Sequence, residues 1–292
     1  MRADELPAAG GSQAPPAQTG SRRDERLGGA TASARAGDLP GIDASRPNMA
    51  RVYDYWLGGK DNFAADRDLA KRSMAMCPQL PQWARENRAF VCAAAQRAAQ
   101  AGITQFIDLG CGLPTRPAVH EAAGSVSHSV RVAYVDNDPV VALHARVLLT
   151  DVGLRAVQGD LTDPETVLAD HALREVIDPG QPACAILGGV LHFLPAARAR
   201  QVCAAWAARL ASGSWLAISV GRYTDPQLLA RLTLMYTPAP FQNHTPGQVA
   251  GFLAGLDLVP PGVTDAGSWQ AAVAASPPDR RLYALCAVAT KP

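Results

Sequence analysis

The sequence predicts an α/β protein: a mostly parallel, Rossmann-like sheet whose last strand runs antiparallel, preceded by a helical cap. Three observations carry this. Between residues 105 and 220, short apolar runs alternate with helical stretches, and the runs are nearly continuous, as in strands covered on both faces. The segment ahead of the first run reads as helix alone. The final run, residues 281–289, follows no crossover helix, which suits a reversed closing strand better than another βαβ unit.

Taken in order, residues 1–44 are rich in Ala, Gly, Pro, Ser and Arg and nearly lack aromatic and β-branched residues. Such a stretch buries too little apolar surface to offset its ordering entropy, so a disordered tail is expected. Residues 45–102 form the expected cap: a short helix within 46–60 stopped by Gly58-Gly59, a second at 66–76 ending before Pro78, and a third at 81–101 stopped by Gly102. Residues 103–292 form the expected sheet domain, with strands at 105–109, 131–135, 154–158, 183–190 and 214–220. Helices lie between them: one ending near Ala123, then 139–149, one from Asp163-Pro164, and 196–210. Helices at 225–236 and 246–256, a short strand at 256–259 and the closing strand complete the chain.

Bulk properties narrow the function classes. The 292 residues are 48% hydrophobic and 18% charged, with a formal net charge of +1, so no field is set up for a polyanion and nucleic acid is not an expected partner. The six cysteines show no C-x-x-C pair and no His–Cys cluster at zinc-ligand spacing. No metal site is expected, and they read as buried hydrophobes of a reducing compartment. No apolar run approaches the ~18 residues of a membrane span, and the N-terminus lacks a signal-peptide core. A cytoplasmic protein is expected.

The chemistry sits at successive strand ends. The first strand runs into Asp108-Leu109-Gly110-Cys111-Gly112-Leu113-Pro114-Thr115. Gly110 and Gly112 let the chain turn tightly and bring a ligand close to backbone. Thr115 stands where a dinucleotide fingerprint has its third glycine, and Asp108 stands two places before the first. S-adenosylmethionine, which has an ammonium and a cationic sulfur but no phosphate, suits that acid better than a pyrophosphate does. The second strand ends in Asp136-Asn137-Asp138-Pro139, where an acid 26 positions beyond Gly110 can accept ribose hydroxyls and Asp138 reads as a helix cap. The third ends in Asp160-Leu161, placed for an adenine amino group and ring, with Asp163-Pro164 as the next helix start. After the fourth strand comes Leu191-His192-Phe193. His192 is either a general base toward an acceptor or a buried ring bonded to backbone.

The run from Arg46 to Phe63, RPNMARVYDYWLGGKDNF, together with 84–90, 108–115, 134–139 and 190–193, resembles an actinobacterial family of S-adenosylmethionine-dependent methyltransferases. The resemblance spans residue 45 to the C-terminus; mild departures fall at Gly188-Gly189 and Cys111. It implies the class I methyltransferase fold and S-adenosylmethionine as cofactor. It also gives weight to Tyr53, Tyr55, Lys60, Asp61, Asn62, Asn87 and Arg88, which contact cofactor and acceptor in one reading. In the other, the aromatic residues pack the cap while Arg51–Asp54 and Lys60–Asp61 form surface pairs. The expected activity is direct methyl transfer to an oxygen or nitrogen of a small molecule. His192 and Tyr55 are the catalytic candidates; Asp108, Gly110, Gly112, Asp136, Asn137, Asp160, Leu161, Arg88 and Asn62 are the cofactor-binding ones. Two other classes stay open: a non-catalytic cofactor-binding regulator and an NAD-dependent oxidoreductase.

Overall fold

Asn48 opens the first helix, its side-chain oxygen accepting the N–H of Ala50 at 2.7 Å. That helix is α1 (Met49–Trp56), followed by α2 (Ala64–Met76) and the long α3 (Leu80–Gln100). Gly58 and Gly102, at φ +87° and +92°, end α1 and α3 where glycine was expected to stop them. The structure, a computed structural model, describes residues 43–236, 240–269 and 280–292. The expected tail lies outside the described residues except for its last two positions, as does most of the return between Trp269 and the closing strand.

Beyond α3 the chain runs β1 (Gln105–Leu109), α4 (Val119–Gly124), β2 (Arg131–Asp136), α5 (Pro139–Leu148), β3 (Leu154–Gln158), α6 (Pro164–Ala169), α7 (His171–Val176) and β4 (Cys184–Gly188). It continues through α8 (Ala196–Arg209), β5 (Trp215–Tyr223), α9 (Pro226–Met235), α10 (Pro246–Phe252), β6 (Asp257–Leu258), β7 (Thr264–Asp265), α11 (Ala266–Trp269) and β8 (Leu282–Thr290). The strand order is β3-β2-β1-β4-β5-β8-β6, with β7 also on β8. The strands β1 to β5 are mutually parallel, and β8 runs antiparallel to β5 from Trp215↔Thr290 to Tyr223↔Leu282.

Period-two alternation along the strands feeds two cores. In β8, Ala284, Cys286 and Val288 join the core shared with α3, while Leu285, Ala287 and Ala289 join the one on the opposite face, which holds Trp206 of α8 and Phe252 of α10. In β1, Phe106 faces the first core, and Ile107 and Leu109 face the second. All four side chains of the fully buried pair Phe90 and Phe106 and pair Trp206 and Leu109 are below 1% exposed. Each ring so buried contributes roughly 2–3 kcal/mol by removal of apolar surface from water.

Several boundaries differ from the sequence reading. β4 stops at Gly188, because Gly189 at φ +75° turns the chain into a 3-10 turn, Leu191–Phe193. The helix after Asp163 is two helices, broken where the Asp170 side chain accepts the N–H groups of Ala172 and Leu173 and caps α7. α10 ends at Phe252 rather than near 256, while β7 and α11 had no clear sequence signal because each is only two to four residues long.

Candidate functional site

Since β1 lies between β2 and β4, the ends of β1 to β4 meet along one edge, beside the point where strand order reverses. There the chain encloses a cavity of about 390 Å³, within the roughly 300–1,000 Å³ of small-molecule sites. Its lining has two ends. The polar one includes Arg88, Asp108, Gly110, Gly112, Asp136, Asn137, Asp160 and Leu161, eight of the expected positions. The other is aromatic: of the five Trp, six Tyr and six Phe in the chain, seven line the cavity.

At the polar end, Gly110 and Gly112 adopt φ +69° and +64°, so L side chains are strained there. The loop hangs on the β2 end: Gly110 N–H donates to Val135 O at 2.8 Å and Gly112 N–H to Asp136 Oδ2 at 2.9 Å. A Cβ on Gly110 would lie 2.5 Å from Val190 Cγ1, whereas one on Gly112 would meet nothing within 4 Å. Gly110→Ala should therefore combine backbone strain with overpacking and cost about 3 kcal/mol or more, against about 1–2 kcal/mol for Gly112→Ala. Urea denaturation of both variants checks the ranking; equal losses would remove the steric argument.

Asp108 is 4% exposed and accepts no hydrogen bond among the described residues. Burial pushes its pKa up to about 6; the Arg88 guanidinium opposes the rise and Asp136 adds to it. Asp136 differs, since both its oxygens accept backbone N–H groups, from Gly112 and from Asp138 at 2.9 Å. Burial nevertheless raises its pKa overall. Asp138 caps α5 through Val140 N–H, as expected. Asp160 is exposed and accepts from Thr162 N–H, while Trp206 Nε1 holds Leu161 O at 2.8 Å. The Leu161 N–H has no partner among the described residues. Arg88 donates through Nε and Nη2 to Pro117 O and through Nη2 to Thr115 O, fixing the far side of the glycine loop and leaving Nη1 without a partner among the described residues.

Tyr55 and Asn62 are not part of the cavity lining. Tyr55 is half-buried against the cap core. The Asn62 amide donates to Asp54 Oδ2 at 2.8 Å and to Gly59 O at 3.1 Å. Asp54 also accepts Asp61 N–H, and a Cβ on Gly59 would collide with its carboxylate. The glycine-lysine-aspartate-asparagine run is thus a clasp around Asp54, and Lys60 and Asp61 are exposed. Nor are Arg51 and Asp54 a surface pair. Arg51 is 4% exposed, pairs with Asp66 at 2.8 Å and Asp138 at 3.5 Å, and ties α1 to α2 and to the β2 end.

Where Tyr55 was expected, Tyr53 lines the cavity. Its hydroxyl donates to Ala84 O and accepts from Asn87 Nδ2 at 2.9 Å, and Asn87 Oδ1 in turn accepts from Ser219 of β5. Burial raises the Tyr53 pKa to about 12. His192 lies at 2% exposure among Phe241, Phe193 and Trp83, with ring centroids at 4.5, 4.3 and 5.8 Å. Its Nδ1 accepts the Gly221 N–H at 3.2 Å, so the neutral ring carries its proton on Nε2. Burial, with His244 nearby, depresses its pKa to about 3. A ring so held donates a hydrogen bond and has no free lone pair with which to take a proton. The sequence reading missed Tyr223, Tyr236 and Phe241. The available signal was their position, next to the β5 end and in the Pro-rich stretch after α9, where aromatic residues recur in a chain only 6% aromatic.

Comparison with known proteins places these features in context. The family model described as S-adenosyl methyltransferase matches residues 36–292. A structure from Thermobifida fusca YX, solved at 1.95 Å, is 36% identical with a TM-score of 0.79, covering 86% of this chain and 97% of that one. A DUF574 family protein from Streptomyces avermitilis is 34% identical with a TM-score of 0.78, over 86% and 99% of the two chains. No curated protein matches the chain.

Proposed function

This chain belongs to the S-adenosyl methyltransferase family, and on that premise we propose that it transfers a methyl group from S-adenosylmethionine directly to an oxygen or nitrogen of a small molecule. The observation that carries the reading is Asp108: a buried carboxylate without a hydrogen-bond partner among the described residues, on the wall of a ligand-sized cavity. An uncompensated buried carboxylate is costly unless a ligand supplies the missing donors or charge. Among the described residues, the cavity's charged lining consists of Asp108, Asp136 and Asp160 against Arg88. That balance suits a ligand with a sulfonium and an ammonium and repels the pyrophosphate of NAD. The residues present therefore fit the cofactor.

In this reading Asp108 receives the ammonium, and Arg88 Nη1 reaches the carboxylate of the methionine moiety. Asp136, with Asn137 beside it, accepts the ribose hydroxyls. Asp160 and the Leu161 N–H meet the adenine, and Gly110 and Gly112 allow the close approach. Tyr55 and Asn62 have no part in it, and His192 acts as a donor. When bound, the cofactor would supply a methyl group on a cationic sulfur, open to direct attack by an acceptor lone pair with the bonding electrons left on sulfur, and any acceptor proton would leave to solvent with the product. The chain's contribution is alignment and exclusion of water. No helix among the described residues is long and apolar enough to cross a membrane, which is compatible with a cytoplasmic site of action.

The test is calorimetric titration with S-adenosylmethionine, S-adenosylhomocysteine and NAD, repeated on Asp136→Ala. Micromolar binding of the first two is expected, with no NAD binding, and a loss of about tenfold or more in the variant, as for two charge-assisted hydrogen bonds. Binding of NAD alone overturns the reading.

A further inference from the structure

The aromatic end of the cavity is not explained by the cofactor. Its walls come from the cap (Trp56, Trp83), from the end of β5 and the residues after α9 (Tyr223, Tyr236, Phe241), and from His192, and no carboxylate, lysine or guanidinium lies among them. The rings meet edge-on: Trp56 lies at 6.2 Å from Trp83 and 6.3 Å from Tyr236, with interplanar angles of 80° and 72°. Such a box offers both faces and edges of π-systems to a flat guest. The buried Nε1 groups of Trp56 and Trp83 have no hydrogen-bond partner among the described residues. His192 Nε2, which carries the ring proton, has none among the described residues either. We infer that this chamber binds the methyl acceptor, and that the acceptor is an uncharged, planar aromatic compound that accepts hydrogen bonds from His192 and is methylated on nitrogen. The inference rests on the methyltransferase reading above.

Neutrality follows from burial, since a charged acceptor would lose its hydration with no carboxylate, lysine or guanidinium among the described residues of the chamber to replace it. Planarity follows from the edge-on rings. The choice of nitrogen follows from the lack of a base among the described residues of the aromatic end. His192 holds its only lone pair on the Gly221 N–H, and its pKa of about 3 keeps the ring neutral. The hydroxyls of Tyr53 and Tyr223 have pKa values raised by burial, so neither is ionised near neutrality. A phenol would have to lose its proton before it could attack effectively. A heteroaromatic or aryl-amine nitrogen attacks with a neutral lone pair: the nitrogen–carbon bond forms, the sulfur–carbon bond breaks, and any N–H proton, acidified by the new charge on nitrogen, leaves to water afterwards.

The experiment titrates the full chain, with and without saturating S-adenosylhomocysteine, against four probes: quinazolin-4-one, 2-naphthol, quinoline-2-carboxylate and cyclohexanol. Calorimetry and quenching of tryptophan fluorescence report binding, and mass spectrometry with S-adenosylmethionine reports methylation. Quinazolin-4-one is expected to bind and quench, at least about tenfold more tightly than the carboxylate or the aliphatic alcohol, and to gain a methyl group. 2-Naphthol is expected to bind without being methylated. His192→Phe should weaken quinazolin-4-one about tenfold, the loss of one hydrogen bond to a buried donor, and leave S-adenosylhomocysteine affinity unchanged. Equal or tighter binding of the carboxylate or the alcohol, methylation of 2-naphthol but not quinazolin-4-one, or no binding of either aromatic probe overturns the inference. Failure of S-adenosylhomocysteine to bind while quinazolin-4-one still quenches would instead overturn the cofactor reading and keep the aromatic chamber.

Discussion

Asp108→Asn is expected to abolish tight cofactor binding and, at the same time, to make the ligand-free protein more stable at pH 7.5. Both effects have one cause. Burial lifts the Asp108 pKa from 3.8 to about 6, so the ionised form is penalised in the folded state. At about 1.4 kcal/mol per pKa unit, that penalty is roughly 3 kcal/mol. A group whose folded pKa is raised binds protons more readily in the native state, so its contribution to stability falls as pH rises through the window between 3.8 and about 6 and is fully unfavourable above it. The asparagine amide carries no such penalty. Thermal denaturation without ligand should therefore show the variant melting several degrees above wild type at pH 7.5, with the advantage shrinking toward pH 4. Calorimetry should show the reverse for binding, a loss of about thirtyfold or more for S-adenosylmethionine, as for a buried charge pair. Wild-type affinity should fall as pH is lowered through 6, while the residual affinity of the variant should be flat. A variant less stable than wild type at pH 7.5 that still binds the cofactor would show that Asp108 is a structural residue.

That carboxylate was legible in the sequence because strand–turn geometry alone places it. An apolar run ending in Asp-Leu-Gly-Cys-Gly can only present its acid at a strand end beside an open turn, and the same logic found Asp136 and Asp160. The strands were legible for a related reason: residues buried on both faces must be apolar almost without interruption, and β1 is buried at all five positions. The aromatic end of the cavity was less so. Tyr53 and Tyr55 are indistinguishable as residues, and which face of α1 meets α3 decides that Tyr53 lines the cavity and Tyr55 does not. His192 presents the same difficulty. Its surroundings come from Gly221 of β5, Phe241 and Trp83, far apart in sequence, and whether it is a base or a donor depends on which ring nitrogen meets the backbone. The run around Gly58-Gly59 announced a constrained segment, and the constraint is a clasp on Asp54, outside the cavity lining.

Arg51→Met is expected to lower stability by about 3–5 kcal/mol, the range for removing one partner of a buried ion pair. Arg51 Nε sits 2.8 Å from Asp66 Oδ2, with both side chains almost wholly buried at 5% and 0% exposure. Methionine keeps much of the volume but leaves the Asp66 carboxylate without its counter-charge in a dry site. Asp66 would retain two backbone donors, Asn48 N–H and Phe63 N–H, each at 2.8 Å. These lessen the penalty without cancelling a charge. The double variant Arg51→Met/Asp66→Asn removes that charge and keeps a carbonyl acceptor for one of the two backbone donors, so it should recover part of the loss in urea denaturation. Arg46–Asp43 serves as the control, because that pair is 3.6 Å apart with side chains 86% and 56% exposed, and Arg46→Met should change nothing measurable. The effect should also reach the polar end of the cavity. Arg51 Nη1 lies 3.5 Å from Asp138 Oδ2, and Asp138 donates its N–H to Asp136 Oδ1, so the same guanidinium that locks α1 onto α2 steadies the proposed ribose carboxylate. S-adenosylhomocysteine affinity should therefore weaken in Arg51→Met even at temperatures where the variant is fully folded. A folded variant with wild-type affinity would confine Arg51 to holding the cap together.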